Sequence, residues 1–238
     1  MTDRNNIWPK LAAVAAIGAV AGFGGGWAAT TLGGPADKDF EAYLLANPEI
    51  LPEAMQALQQ KEMAARLDPV REAVMTPYRG AVLGNPNGSK VLVEFSDYAC
   101  GYCRQSAKDV EALVAKDPEL KVVIREFPIL SEGSVHAARM ALAAAEQGKF
   151  EAFHHAMFAG GSPDEAGVEA AANAAGLDIE AANKAIAAGK YDQELAQNQQ
   201  LGRVLGFDGT PAWIVGDAVL AGAVGERELA EAIAEQTG

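Results

Sequence analysis

Cysteine is almost absent from this chain: among 238 residues there are two, Cys100 and Cys103. Two thiols cannot close a structural zinc site, and the three histidines, His136, His154 and His155, fall at no zinc-ligand spacing from them. A disulfide across a two-residue gap removes little chain entropy, so a purely structural bridge explains the pair poorly. Basic clusters and a glycine-rich phosphate loop are also lacking. With 19 Lys and Arg against 32 Asp and Glu, the formal net charge is −13, a poor match to nucleic acid or to an anionic membrane face. Nothing in the pattern calls for a metal, nucleotide, flavin or haem, so no cofactor is expected.

Charge itself is missing from Leu11 to Leu32, LAAVAAIGAVAGFGGGWAATTL, after a short stretch holding Arg4 and Lys10. Two readings compete for residues 1–32: a signal peptide removed after export, or an uncleaved signal anchor. As a helix, Leu11 to Ala29 reaches about 28 Å, slightly under the hydrocarbon thickness of a bilayer. Gly18, Gly22 and Gly26 recur every four residues, a spacing that permits close approach of membrane helices and that a Gly/Ala-rich run also produces by chance. Either reading delivers the cysteines to an oxidising, periplasmic or other extracytoplasmic compartment, with residues 11–29 as the candidate inner-membrane anchor.

Half of the residues are hydrophobic, enough for the core of one α/β domain behind a terminal appendage. Residues 33–84 read as a helical extension. Asp39 is the expected cap of a helix through Leu45, Asn47-Pro48 interrupts, and Pro52 opens a longer helix towards Leu67. Leu51, Met55 and Leu58 share one side of it. That stripe either docks on the rest of the chain or joins copies of it, which makes residues 37–67 a candidate homo-oligomer region.

Residues 85–238 carry the chemistry. VLVEFSDYACGYC, Val91 to Cys103, is an apolar strand pattern that ends in the two cysteines, and RQSAKDVEALVAK then reads as a helix. With Cys100 at the first turn, the unpaired N–H groups and positive dipole end favour its thiolate, and Cys103 lies nearly one turn on, within bridging reach. This is the pattern of a redox dithiol, with Cys100 the exposed attacking thiol and Cys103 the protected resolving one. Glu94 interrupts the strand on the face opposite Val93 and Phe95. It is either a buried acid that exchanges protons with Cys103 or an edge residue facing solvent.

Lys121 to Phe127 reads as a second strand, parallel to the first because a helix crosses between them. Residues 131–204 form an inserted helical block, in which Ser162, Pro163 and Glu165 compose a capping box. His136, His154 and His155 fall in it without a metal-binding partner by spacing, and a structural or surface role is expected of them. Pro211 to Val215 and Ala218 to Ala221 read as an antiparallel pair, closed by a helix from Glu226 to Gln236. Thr210-Pro211 is expected at a sheet edge or a special bend.

FSDYACGYC, GTPAWIV and the helical insertion resemble the DsbA branch of the thioredoxin superfamily, and YLLANPEILPEAMQALQQ resembles the N-terminal segment of its ScsC-like members. The resemblance covers roughly residues 37–238. It implies a thioredoxin fold with an inserted helical domain, preceded by the helical extension and the signal or anchor segment. It makes Cys100 the nucleophile, Cys103 the resolving cysteine, Gly101 and Tyr102 the tuning pair and Glu94 the buried acid. Thr210 and Pro211 match the residue before the cis-proline and that proline, which present backbone groups to substrate.

The implied function is thiol–disulfide exchange on exported proteins bearing thiols or disulfides, with a membrane redox partner that reoxidises or reduces the dithiol. Oxidase and oligomeric isomerase or reductase remain alternatives, and a membrane-associated chaperone or binding protein for Cys-containing clients is a third.

Overall fold

In a computed structural model, residues 35–160 and 162–236 are described. The uncharged stretch from Leu11 to Leu32 and its glycines, on which the signal and anchor readings fall, lie outside the described residues.

Two units are distinguished, divided after Leu58. The first contains α1 (Pro35–Ala46) and the start of α2 (Ile50–Leu67). The opening helix begins at Pro35, so Asp39 lies within it and is not its cap. A proline fits this position because its fixed φ suits the first turn and the N–H it lacks has no intrahelical partner there. At the other end, the Asn47 side-chain amide donates to the Tyr43 carbonyl at 2.8 Å. Phe40, Tyr43, Leu45, Leu51, Met55 and Leu58 are all exposed.

The second unit is built on a five-stranded sheet. Its strands are β1 (Val82–Gly84), β2 (Lys90–Ser96), β3 (Leu120–Glu126), β4 (Ala212–Val215) and β5 (Ala218–Ala221), in the order β1-β3-β2-β4-β5. β2 and β3 run parallel, joined by the crossover helix α4 (Gly101–Lys116), and the other pairings are antiparallel. A short helix α3 (Arg71–Met75) precedes β1. Between β3 and β4 come α5 (Glu132–Glu146), α6 (Phe150–Gly160), α7 (Glu165–Ala174), α8 (Ile179–Ala187) and α9 (Asp192–Leu205), and α10 (Glu226–Glu235) closes the order.

Alternation along the central strands divides the core. Leu92, Val122, Ile124, Trp213 and Val215 pack with α4, α5, α6 and α10, while Val93, Phe95, Val123, Ala212 and Ile214 pack with Leu67, Val74, Leu201 and Leu205. Alanine makes the first layer thin. Ala137, Ala138, Ala141, Ala143, Ala144 and Ala145 of α5 are all buried, which lets that helix approach its neighbours closely. In α9, Gly202 sits where an added Cβ would come within 2.5 Å of the Phe127 ring.

α7 is capped by Asp164, whose Oδ1 accepts the Gly167 N–H at 2.8 Å, and not by Ser162. A carboxylate accepts this charge-assisted bond more strongly than a hydroxyl. The Thr210-Pro211 peptide is cis. It leads into β4, which is an interior strand, so the special bend and not the sheet edge describes its position.

Candidate active site

The parallel register of β2 and β3 sets out the floor of the site. Glu94 lies opposite Ile124 and Ser96 opposite Glu126, so Glu94, Ser96 and Glu126 share the sheet face on which α4 packs. After Ser96 the chain leaves the sheet through Asp97, Tyr98 and Ala99 and reaches Cys100, the N-cap of α4.

Asp97 is buried and holds this loop. Its Oδ1 accepts the Ala99 N–H at 2.8 Å, and its Oδ2 accepts the N–H groups of Ile129 and Leu130 at 2.9 and 3.0 Å. The Asp97 carbonyl also accepts the Cys100 N–H at 3.0 Å. The exposed side chains of Ile129 and Leu130 are thereby brought beside the cysteine loop.

Both thiols are free. Cys100 is 7% exposed and Cys103 fully buried, so the expected exposed thiol is a recessed one, still the more accessible of the two. The Cys103 N–H donates to the Cys100 Sγ at 3.4 Å, and that Sγ donates to the Thr210 carbonyl oxygen at 3.2 Å. Gly101 opens the helix with nothing near its Cα where a Cβ would project, and Tyr102 stands 68% exposed beside it. Cys100, Cys103, Glu94 and Thr210 therefore meet at one place, buried Pro211 follows Thr210 through the cis bond, and Gly101 and Tyr102 are exposed.

Glu94 is 1% exposed, which rules out an edge residue facing solvent. Burial pushes its carboxyl up to about 8, and the neighbouring Ser96 hydroxyl offsets this only in part, since neither carboxylate oxygen has a closed hydrogen bond. Cys103 is pushed well above the ordinary thiol range, first by burial and then by Glu94. The backbone N–H of Asp97 and the hydroxyls of Thr210 and Ser96 act in the opposite sense.

A second buried group adjoins the loop and is not legible in the sequence. The Tyr98 hydroxyl donates to Oε1 of Glu126 at 3.1 Å and lies 3.1 Å from Nδ1 of His154 on α6. Burial, with Asp97 and Glu94 nearby, pushes Glu126 well above the usual carboxylate range against the pull of the Tyr98 hydrogen bond. Burial and then His155 lower His154 to about 3, so its ring is neutral. His155 faces outward and pairs with Glu111 at 2.6 Å. One histidine is thus structural and the other a surface residue.

Residues 91–234 match the DSBA-like thioredoxin domain, and residues 40–65 match the copper resistance protein ScsC N-terminal domain. A thioredoxin-like oxidoreductase from Silicibacter pomeroyi DSS-3 is 42% identical, with a TM-score of 0.67 over 70% of this chain and 97% of that one. The thiol-disulfide exchange protein alpha-DsbA2 from Wolbachia pipientis is 28% identical, with a TM-score of 0.69 over 75% and 98%. A periplasmic thioredoxin-like protein from Salmonella enterica serovar Typhimurium is 30% identical, with a TM-score of 0.62 over 70% and 95%.

The curated relative Na(+)/H(+) antiporter NhaA 1 of Mycobacterium sp. (strain KMS) is 30% identical over 145 residues, 58% of this chain, but the match spans only 24% of that protein's length. Among the described residues no helix is long and apolar enough to cross a membrane. With the strand order, the cysteine pair at a helix start and the family match in agreement, the chain belongs to the DSBA-like thioredoxin domain family.

Proposed function

We propose that this protein is a thiol–disulfide oxidoreductase that forms or rearranges disulfides in exported proteins through Cys100 and Cys103. The observation that carries the reading is the placement of Cys100, N-cap of α4, with its Sγ 3.4 Å from the Cys103 N–H and 3.2 Å from the Thr210 carbonyl oxygen. In the oxidised protein a substrate thiolate attacks the Cys100 Sγ, the Cys100–Cys103 bond breaks, and its electron pair leaves on Cys103. A second substrate thiolate then attacks the substrate sulfur of the mixed disulfide and releases Cys100. The substrate gains a disulfide and the protein holds a dithiol, which a membrane redox partner reoxidises. Thr210 and Pro211 line the place where an extended substrate meets the reactive sulfur.

The opposite direction has its own support. The exposed apolar residues Phe40, Tyr43, Leu45, Leu51, Met55 and Leu58, within the segment that resembles the ScsC N-terminal domain, suit self-association through residues 37–67. Several reduced Cys100 thiols around one misfolded client would favour isomerase work. The periplasmic relative and the uncharged N-terminal stretch support an extracytoplasmic location.

The equilibrium potential of the dithiol against glutathione is the direct test. A value near about −120 mV selects the oxidase, and one at or below about −200 mV selects the reduced isomerase or reductase. Failure of the pair to exchange with any thiol would refute the whole reading.

A further inference from the structure

Five buried side-chain oxygens among the described residues have no hydrogen-bond partner, and four of them belong to the three residues whose side chains act on the Cys103 thiol: both carboxylate oxygens of Glu94, the Ser96 Oγ and the Thr210 Oγ1. Ser96 is 3% exposed and points from β2 to the sheet face covered by Cys103. A hydroxyl left unpaired in the interior is destabilising, so a polar atom retained there calls for a role. Serine has a single hydrogen and two lone pairs. It can therefore donate to one neighbour while accepting from another, and its neighbours here are a carboxyl two positions back on the same strand face and a buried thiol.

We propose that Ser96 receives the departing Cys103 thiolate and relays to it the proton held by Glu94. The inference rests on the thiol–disulfide exchange proposed above. When substrate thiolate attacks the Cys100 Sγ, the S–S electron pair passes to the Cys103 Sγ in a site closed to water. Ser96 Oγ–H, Thr210 Oγ1–H and the Asp97 N–H are the donors that face it. As Ser96 gives its hydrogen to sulfur, it takes the carboxyl hydrogen of Glu94. A neutral thiol and a Glu94 carboxylate result, and solvent restores the Glu94 proton. In the reverse direction, with Cys103 attacking a mixed disulfide, the same hydroxyl carries the thiol proton back to Glu94.

The role belongs to Ser96 rather than Thr210 because both hydroxyls act on Cys103, but Ser96 is the one that also acts on Glu94. The titratable groups that bear on Glu94 are Cys103 on α4, Tyr98 in the loop and Glu126 on β3. Its strand neighbours Ile124 and Trp213 carry no charge.

The test uses the full chain, oxidised, with Ser96→Ala and Ser96→Thr beside the wild type. Reduction by dithiothreitol is followed by quenching and thiol labelling, below and above the Glu94 pKa of about 8. Alkylation of Cys100 in the reduced protein and the unfolding midpoint serve as controls. Loss of one charge-assisted hydrogen bond predicts reduction roughly tenfold slower in Ser96→Ala, with Cys100 alkylation unchanged and Ser96→Thr restoring the rate. The wild-type to Ser96→Ala ratio falls as pH rises through the Glu94 pKa, because the proton to be relayed is then gone.

A Ser96→Ala rate equal to wild type across that range overturns the role of Ser96 while leaving the exchange reaction standing. Parallel losses in reduction rate, alkylation and unfolding midpoint also overturn it, in favour of a structural hydroxyl. A wild-type pair that exchanges with no thiol removes the proposed function and this inference together.

Discussion

The Sγ of Cys100 donates to the carbonyl oxygen of Thr210 at 3.2 Å, across 110 positions of sequence. The contact joins the start of the crossover helix to the bend before β4. Of the two sulfurs beside this bend, Cys100 keeps a little exposure and Cys103 none.

Replacement of the two cysteines separates their roles. Cys100→Ser abolishes exchange with model thiols. Cys103→Ser leaves Cys100 able to attack but unable to resolve, so mixed disulfides accumulate as reductant-sensitive adducts on non-reducing gels. Adduct formation by Cys100→Ser at the level of Cys103→Ser would reverse the assignment.

Glu94 makes stability pH-dependent. Its carboxyl is raised in the folded protein to about 8, from the ordinary carboxylate range when unfolded. Between those values the unfolded chain has released a proton that the folded chain retains, so stability is full in acid and falls as pH rises to about 8. Glu94→Gln removes that slope. Relative to the wild type, its unfolding free energy from urea titration rises between pH 5 and pH 8, on the order of 1.4 kcal/mol for each step of one in pH. Parallel stability profiles would mean that Glu94 is ionised in the folded state.

Tyr98→Phe keeps the ring packed against Phe153 and Phe158 but removes the hydroxyl shared by Glu126 and His154. Leaving those two buried groups unpaired costs about 1 to 3 kcal/mol in denaturant unfolding. The loop that holds Cys100 loses its tie to α6, so hydrogen exchange at Ala99 and Cys100 should quicken. Unchanged stability would show that the two groups find other partners.

Arg125 faces away from the cysteines and anchors α3 and α9 to the sheet. Buried at 2% exposure, it bonds Glu194 at 3.0 Å, the Asn198 Oδ1 at 3.1 Å, and the carbonyls of Ala73, Val74 and Thr76. Arg125→Met strands these acceptors and is expected to destabilise by about 3 to 5 kcal/mol. Arg125→Lys should restore little, because a point ammonium cannot reproduce the planar fork. Full rescue by lysine, read from urea midpoints, would show that charge alone matters there.

Much of the site could be read along the chain. Alternation in VLVEFS turned Glu94 away from Val93 and Phe95, and the strand-to-helix switch at the cysteine pair put Cys100 at a helix start, because both signals depend on residues within one or two turns of each other. The same locality explains the misplaced caps. Asp39 and Ser162 were good cap residues by type, but Pro35 began one helix earlier and the Asp164 carboxylate took the N–H of Gly167.

What the chain order alone determined was the pattern of faces and the chemistry of the pair: a dithiol over a strand bearing one acid. Tertiary structure decided which distant groups reach that pair. Glu126, Tyr98 and His154 come from a strand, a loop and an inserted helix, and no spacing relates them. Their meeting depends on which sheet face each helix covers, and with it the choice of Ser96 and Thr210 as hydroxyls beside Cys103. Periodicity is set by backbone geometry over a few residues, whereas these contacts are fixed by burying apolar surface across the whole domain.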